Sequence, residues 1–107
     1  MGFMDWFRHP DINEGFRRCR ETPGAVLLDV RTGEEYARGR LPGSRNLPLD
    51  QLSRQAASLI PDRRTPLFVY CLSGSRSAQA ASLLRRMGYE RVENIGGIGQ
   101  YTGEVER

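Results

Sequence analysis

The sequence predicts an α/β fold with a small parallel sheet flanked by helices on both faces. Three observations carry that expectation. Two short runs, Ala25–Val30 and Pro66–Tyr70, are almost continuously apolar, as strands covered on both faces are. Stretches with apolar residues at helical spacing separate and follow them. The links between are short, so strand and helix alternate as in crossover units. A chain of 107 residues suits one domain, here 1–107 with an N-terminal extension over 1–10 and a C-terminal tail over 98–107. It has no room for a separate cofactor domain.

Each element follows from local signals. Asp11 to Arg20 reads as a polar first helix, with Ile12, Phe16 and Cys19 on one face. Thr22-Pro23-Gly24 stops it, and the first strand follows. Thr32-Gly33-Glu34-Glu35 matches a capping box, in which the threonine hydroxyl accepts from the Glu35 amide and Glu35 reaches back. The short helix it opens ends at Gly39. Leu41 to Pro48 is rich in turn residues, with an extended piece around Ser44 to Leu47. Leu49 to Ile60 then places Leu52, Ala56, Leu59 and Ile60 on one helical face, stopped by Pro61. Pro66 opens the second strand at the first position, where proline is tolerated. Ser77 to Met87 reads as a helix closed by Gly88. Arg91 to Ile95 is a last strand, and Gly96-Gly97 turns into the tail.

Composition excludes several classes. The 16 basic residues are all arginine, so Schiff-base chemistry and a lysine base are ruled out. Net charge is +3 and the pI about 9.3, but the arginines are scattered rather than gathered in a nucleic-acid-binding block. The charge suits an anionic substrate better. Cys19, Cys71 and the single His9 have no metal-ligand spacing, so no metal or other cofactor is expected. Both cysteines read as free thiols in a reducing compartment. The N-terminus lacks a secretory pattern, and Trp6 stands where a myristoylation signal needs serine or threonine. No apolar segment approaches membrane-spanning length. A cytoplasmic location without membrane partners is the expectation. Trp6 and Phe7 read as residues that pack on the body, with docking of a partner as the alternative, and His9 as a surface residue.

The chemistry concentrates in VYCLSGSRS, Val69 to Ser77. Cys71 stands at the carboxyl end of a strand, where open parallel sheets bind ligands, and a helix follows. The first amides of a helix lack intrahelical partners, and its dipole favours an anion there. A loop curling round the sulfur turns those amides on it and favours the thiolate. Gly74 permits the positive φ of a tight cradle. Ser73, Ser75 and Ser77 add hydroxyls, and Arg76 adds a permanent cation able to grip an oxyanion. The small neighbours are expected to leave the sulfur open to substrate. The whole reads as an anion-binding nucleophile site. A cysteine alone in this position reads as a small buried hydrophobe; its loop changes that reading.

In these motifs the chain resembles the single-domain rhodaneses, a sulfurtransferase family. LLDVRTGEEYARGRLPGSRNLPL (Leu27 to Leu49), FVYCLSGSRSAQAASLLRRMGY (Phe68 to Tyr89) and VENIGGI (Val92 to Ile98) follow the family's motifs in order. The resemblance implies that Cys71 takes the outer sulfur of a small anionic donor and holds it as a persulfide. Donors in view are thiosulfate, a polysulfide, glutathione persulfide or a protein persulfide. A thiophilic acceptor, cyanide, a thiol or a protein, then removes the sulfur. Backbone amides of Leu72 to Ser77 would stabilise the persulfide, and Arg76 would orient the loop or the donor, or else pair with Asp29. Asp29 and Arg31 match the family's DVR motif and are expected to brace the site. Arg40 replaces the family's usual histidine, and Tyr101 stands at its usual aromatic position. Cys19 lies outside every motif; it reads as a helix-face residue, with resolution of a Cys71 persulfide as the alternative. Related-fold phosphatases separate cysteine and arginine by five residues. Here only Leu72, Ser73, Gly74 and Ser75 intervene, a smaller cradle better matched to sulfur. A rhodanese-like module without catalysis is the non-enzyme alternative, but such modules commonly lack the cysteine.

Overall fold

The computed structural model describes residues 10–107. Trp6, Phe7 and His9 therefore lie outside the described residues. Four strands, β1 (Val26–Asp29), β2 (Arg45–Asn46), β3 (Leu67–Cys71) and β4 (Val92–Gly97), form a sheet in the order β2-β1-β3-β4. Every pairing is parallel. The α/β expectation holds: α1 (Ile12–Glu21), α2 (Gly33–Arg38), α3 (Leu52–Leu59) and α4 (Ser75–Arg86) surround the sheet. No described helix is long and apolar enough to cross a membrane.

Side chains alternate between the two faces of a strand, and the two cores follow. Leu67, Val69 and Cys71 of β3 point into a cluster with Leu28, Leu52, Ala56, Ala80 and Leu84, under α3 and α4. Phe68 and Tyr70 point the other way, to Ile12, Phe16 and Cys19 of α1 and to Ile95. Helix α1 can seat this closely because Gly15 carries no side chain. A Cβ there would lie 2.4 Å from the Ile95 Cβ. The buried Tyr70 hydroxyl accepts from the Leu41 amide at 3.0 Å and donates to Ser44 Oγ at 3.1 Å, which fixes the turn-rich segment after α2.

Element boundaries differ from expectation where tertiary packing intervenes. Asp11 is the N-cap of α1, accepting from the Asn13 and Glu14 amides. The segment expected as one helix from Leu49 begins as a 3₁₀ turn, Leu49–Gln51, before α3. Leu52, Ala56 and Ile60 are buried as expected, but Leu59, at the margin of that stripe and in the helix's last residue, is 39% exposed. Strand β4 runs on through Gly96 and Gly97, which the sequence reads as a turn. Tyr70 pairs with Gly96 and Cys71 with Gly97 after a bulge at Ile95. Residues 98–107 are anchored too: Gly99 N donates to Leu72 O, Thr102 N to Asn13 Oδ1, and Arg40 bridges to Glu106.

Candidate active site

Cys71 is the last residue of β3, at the carboxyl edge of the sheet, and Asp29 ends the neighbouring β1. Residues 72–74 then turn the chain into α4. Gly74 makes the turn with φ of 104° and serves as the helix N-cap, a left-handed conformation that glycine adopts without steric cost. Helix α4 thus starts at Ser75, two residues before the expected Ser77, and its open N-terminal end faces the sulfur. Gly74 N donates to Cys71 Sγ at 3.0 Å, Ser77 N at 3.4 Å, and Ser77 Oγ lies 3.5 Å away. Burial pushes the Cys71 thiol up, but the Ser77 hydroxyl and the Ser77, Gly74 and Ser73 amides together outweigh it and hold the thiol below its ordinary value. This is hydrogen bonding to the charged form overcoming desolvation.

The expectation of an open sulfur is overturned: Cys71 has no exposed surface. The backbone turn that aims the amides at the sulfur also closes over it. Its outer wall is the edge of β4, where a Cβ on Gly97 would lie 2.2 Å from Leu72 O and 2.6 Å from Ser73 Cα. Among the loop serines, Ser77 reaches the sulfur, whereas the exposed Ser73 and Ser75 hydroxyls sit 3.4 Å from each other. Leu72 projects outward, 49% exposed. Of the candidate loop residues, Gly74 and Ser77 therefore make the closest hydrogen bonds to sulfur, with the Ser73 amide adding to them.

Asn94 on β4 is a loop anchor that sequence reasoning missed. Its Oδ1 accepts from Ser77 Oγ at 2.7 Å and Gly96 N at 3.0 Å, and its Nδ2 donates to Gly74 O at 3.2 Å. The side chain thereby holds the carbonyl of Gly74, the residue whose amide faces the sulfur. Asn94 lies inside the VENIGGI motif, which was the available signal.

Arg76 requires a correction. Its expected alternative partner, Asp29, is occupied: Arg31 donates from Nη2 to Asp29 Oδ2 at 2.6 Å and from Nε to both carboxylate oxygens at 3.0 Å, and its Nη2 also donates to Gly39 O. Asp29 and Arg31 are both buried, and the Arg31–Gly39 bond ties the end of β1 to the residue that closes α2. Arg76 instead binds Glu35 in a fork, Nη1 to Oε1 at 2.8 Å and Nη2 to Oε2 at 3.0 Å. Glu35 was legible only as a capping-box residue, and that box is present, with Thr32 N donating to Glu35 Oε1 at 2.9 Å. Its position just after β1, on the same sheet edge as Cys71, is the signal that could have found the second role. The Arg76 hydrogen bonds come first among the causes that hold the Glu35 carboxyl down at about 2, against the opposing effect of burial.

Cys19 projects from α1 into the core on the opposite face of the sheet from Cys71. It is not placed to resolve a persulfide on Cys71. Burial, then the charge of Glu93, pushes its thiol up to about 11. Arg40, at the position of the expected histidine, stacks over the Tyr36 ring 4.7 Å from its centroid. Tyr101 packs edge-on against Phe16.

Residues 14–104 match the Rhodanese-like domain family. The chain is 39% identical over 71 residues to thiosulfate sulfurtransferase PspE of Escherichia coli, spanning 66% of this chain and 68% of that protein. A sulfurtransferase of Allochromatium vinosum is 37% identical over 83 residues, 77% of this chain and 76% of that one. Among solved structures, a rhodanese with anions from Escherichia coli aligns with a TM-score of 0.72 at 34% identity, over 78% of this chain and 98% of that chain. With a match that runs from α1 to the C-terminal segment and takes in every element around Cys71, the chain belongs to the rhodanese-like domain family.

Proposed function

We propose that the protein is a sulfurtransferase that carries a sulfane sulfur on Cys71. The convergence of the Gly74 amide, the Ser77 amide and the Ser77 hydroxyl on one sulfur at the start of α4 carries this reading. In the loading step the Cys71 thiolate attacks the outer sulfur of a donor such as thiosulfate. The Sγ–S bond forms, the donor S–S bond breaks, and its electron pair leaves on sulfite. The anionic persulfide is held by the loop amides, Leu72 to Ser77, which replace the hydration it loses. A thiophilic acceptor, cyanide or a thiol, then attacks the outer sulfur and regenerates the Cys71 thiolate. No cofactor takes part. Relatives named as sulfurtransferases support the class of reaction.

The complete burial of Cys71 favours one second reading, a rhodanese-like interaction module without catalysis. Intact mass spectrometry after brief exposure to thiosulfate, and separately to a polysulfide, distinguishes the two. The expected result is a gain of one sulfur atom on the wild type and none on Cys71→Ser. A gain on Cys71→Ser moves the nucleophile elsewhere. No gain on either protein from either donor supports the interaction module.

A further inference from the structure

Arg76 is the loop cation that would meet an anionic donor, yet both of its terminal nitrogens are committed to Glu35. The pair is mostly shielded, with 32% of the Arg76 side chain and 25% of the Glu35 side chain exposed. Glu35 is itself anchored, because its Oε1 also closes the cap of α2. A fork of this kind between a guanidinium and a carboxylate is strong and directional, so the loop arginine adds little net charge.

Among the described residues, the ground on either side of the loop is equally short of free cations. One flanking hollow, of about 640 Å³, is lined by Ser73, Ser75, Asn94 and Gln100. Asp11 is its charged lining residue among those described, and the Asp11 carboxylate caps α1. The other hollow, of about 400 Å³, is formed by Val30, Thr32, Pro48, Leu49 and Asp50 beside Arg76. It is chiefly apolar, and its cation is the one already paired. Arg31 is buried and spent on Asp29. Among the described residues, a thiosulfate dianion approaching the Cys71 thiolate therefore meets the loop amides but no free guanidinium lining either hollow. The larger hollow has room for far more than a sulfite group, and its described walls are about half polar and mostly uncharged.

We propose that Glu35 is a specificity-determining residue: by neutralising Arg76 it selects a sulfane donor of low charge, a thiol persulfide with an uncharged polar remainder, over a dianion such as thiosulfate. This rests on the sulfur-transfer reading of Cys71. The Cys71 thiolate attacks the outer sulfur of R–S–SH, the Sγ–S bond forms and the donor S–S bond breaks. The electron pair leaves on the inner sulfur as R–S⁻, and the proton stays on the sulfur transferred. The step needs no oxidant or reductant. The hollow lined by Ser73, Ser75 and Gln100 receives R.

The test compares sulfur loading from thiosulfate with loading from the persulfide of N-acetylcysteinamide, a probe whose remainder is uncharged, by stopped-time intact mass spectrometry. Glu35→Gln frees the positive charge of Arg76. It is expected to raise the thiosulfate-to-persulfide rate ratio at least tenfold, through a lower half-saturating thiosulfate concentration. In the Glu35→Gln/Arg76→Gln double variant the pair is again neutral, and the ratio is expected to return to within threefold of wild type. A ratio unchanged or lowered in folded Glu35→Gln overturns the proposal. Should that variant fail to fold, the wild type itself decides. Added salt is expected to accelerate thiosulfate loading by screening the repulsion between dianion and thiolate, and no change or a slowing overturns the proposal. Failure of the wild type to take sulfur from either probe overturns the transfer reading instead, and the selectivity with it.

Discussion

Ser77 is where the chemistry of Cys71 is tuned. Its hydroxyl lies within reach of three acceptors, Asn94 Oδ1, Gly74 O and Cys71 Sγ, and it has one proton to give. When the sulfur is ionised, the proton can turn to it, while the Gly96 amide continues to satisfy Asn94 Oδ1 at 3.0 Å. The hydroxyl therefore acts chiefly on the thiolate, and its removal raises the thiol pKa. In Ser77→Ala the pH midpoint for iodoacetamide modification of Cys71 is expected to rise by about one unit, which slows alkylation near neutral pH about tenfold. The wild-type midpoint is expected below the ordinary thiol value of about 8.5. Rates followed on the Cys71 peptide by mass spectrometry check both, and Cys19, with its thiol near 11, supplies the slow internal reference. An unchanged midpoint in Ser77→Ala would mean that the backbone amides alone set the thiolate.

At the scale of the element, α2 is a six-residue helix that buries none of its own residues. Packing therefore does little to hold it, and its cap and its links to neighbours matter more. Glu35 closes the cap and ties the helix to Arg76 on α4. Because the folded-state pKa of Glu35 is depressed to about 2, its contribution to stability is fully present above the unfolded carboxylate value. It is lost as pH falls through the folded value. The stability difference between wild type and Glu35→Gln is therefore expected to be largest near neutral pH and to shrink between about pH 4.5 and about pH 2. Urea unfolding at stepped pH measures it. A difference that stays constant over that range would show that the carboxylate charge does not contribute.

Across the whole molecule, the loop around Cys71 is shaped by a strand that arrives last in sequence. The edge of β4 lies against Leu72 and Ser73 so closely that Gly97 has no room for a Cβ, and Gly99 N donates to Leu72 O at 3.1 Å. The obstructing atoms are backbone, so they cannot swing aside. Gly97→Ala is expected to cost about 1–3 kcal/mol, in the range of overpacked interiors. For a chain of this size that lowers Tm by at least about 4 °C. Displacement of the loop amides is expected to raise the Cys71 alkylation midpoint as well. Calorimetry and the alkylation profile, read together, check the two consequences. A destabilised variant with an unaltered thiol midpoint would detach the cradle from β4.

Much of this was written in local sequence, where the physics is also local. The apolar runs of β1 and β3, the capping box at Thr32 and Glu35, the glycine before α4 and the cysteine at a strand end each reflect forces acting within a few residues. From these the α/β class, the candidate site at Cys71 and its loop were legible. Tertiary structure decided what depends on contacts between residues distant in sequence. Arg76 pairs with Glu35 because Arg31 already occupies Asp29. Cys19 faces the opposite core from Cys71 because α1 packs on the other side of the sheet. Gly96 and Gly97 continue β4 rather than turn because β3 offers them ladder partners. Cys71 is closed off from solvent because the backbone that points its amides at the sulfur also covers it. A sequence states which groups can bond, but exclusion and competition among partners are settled only when every element is in place.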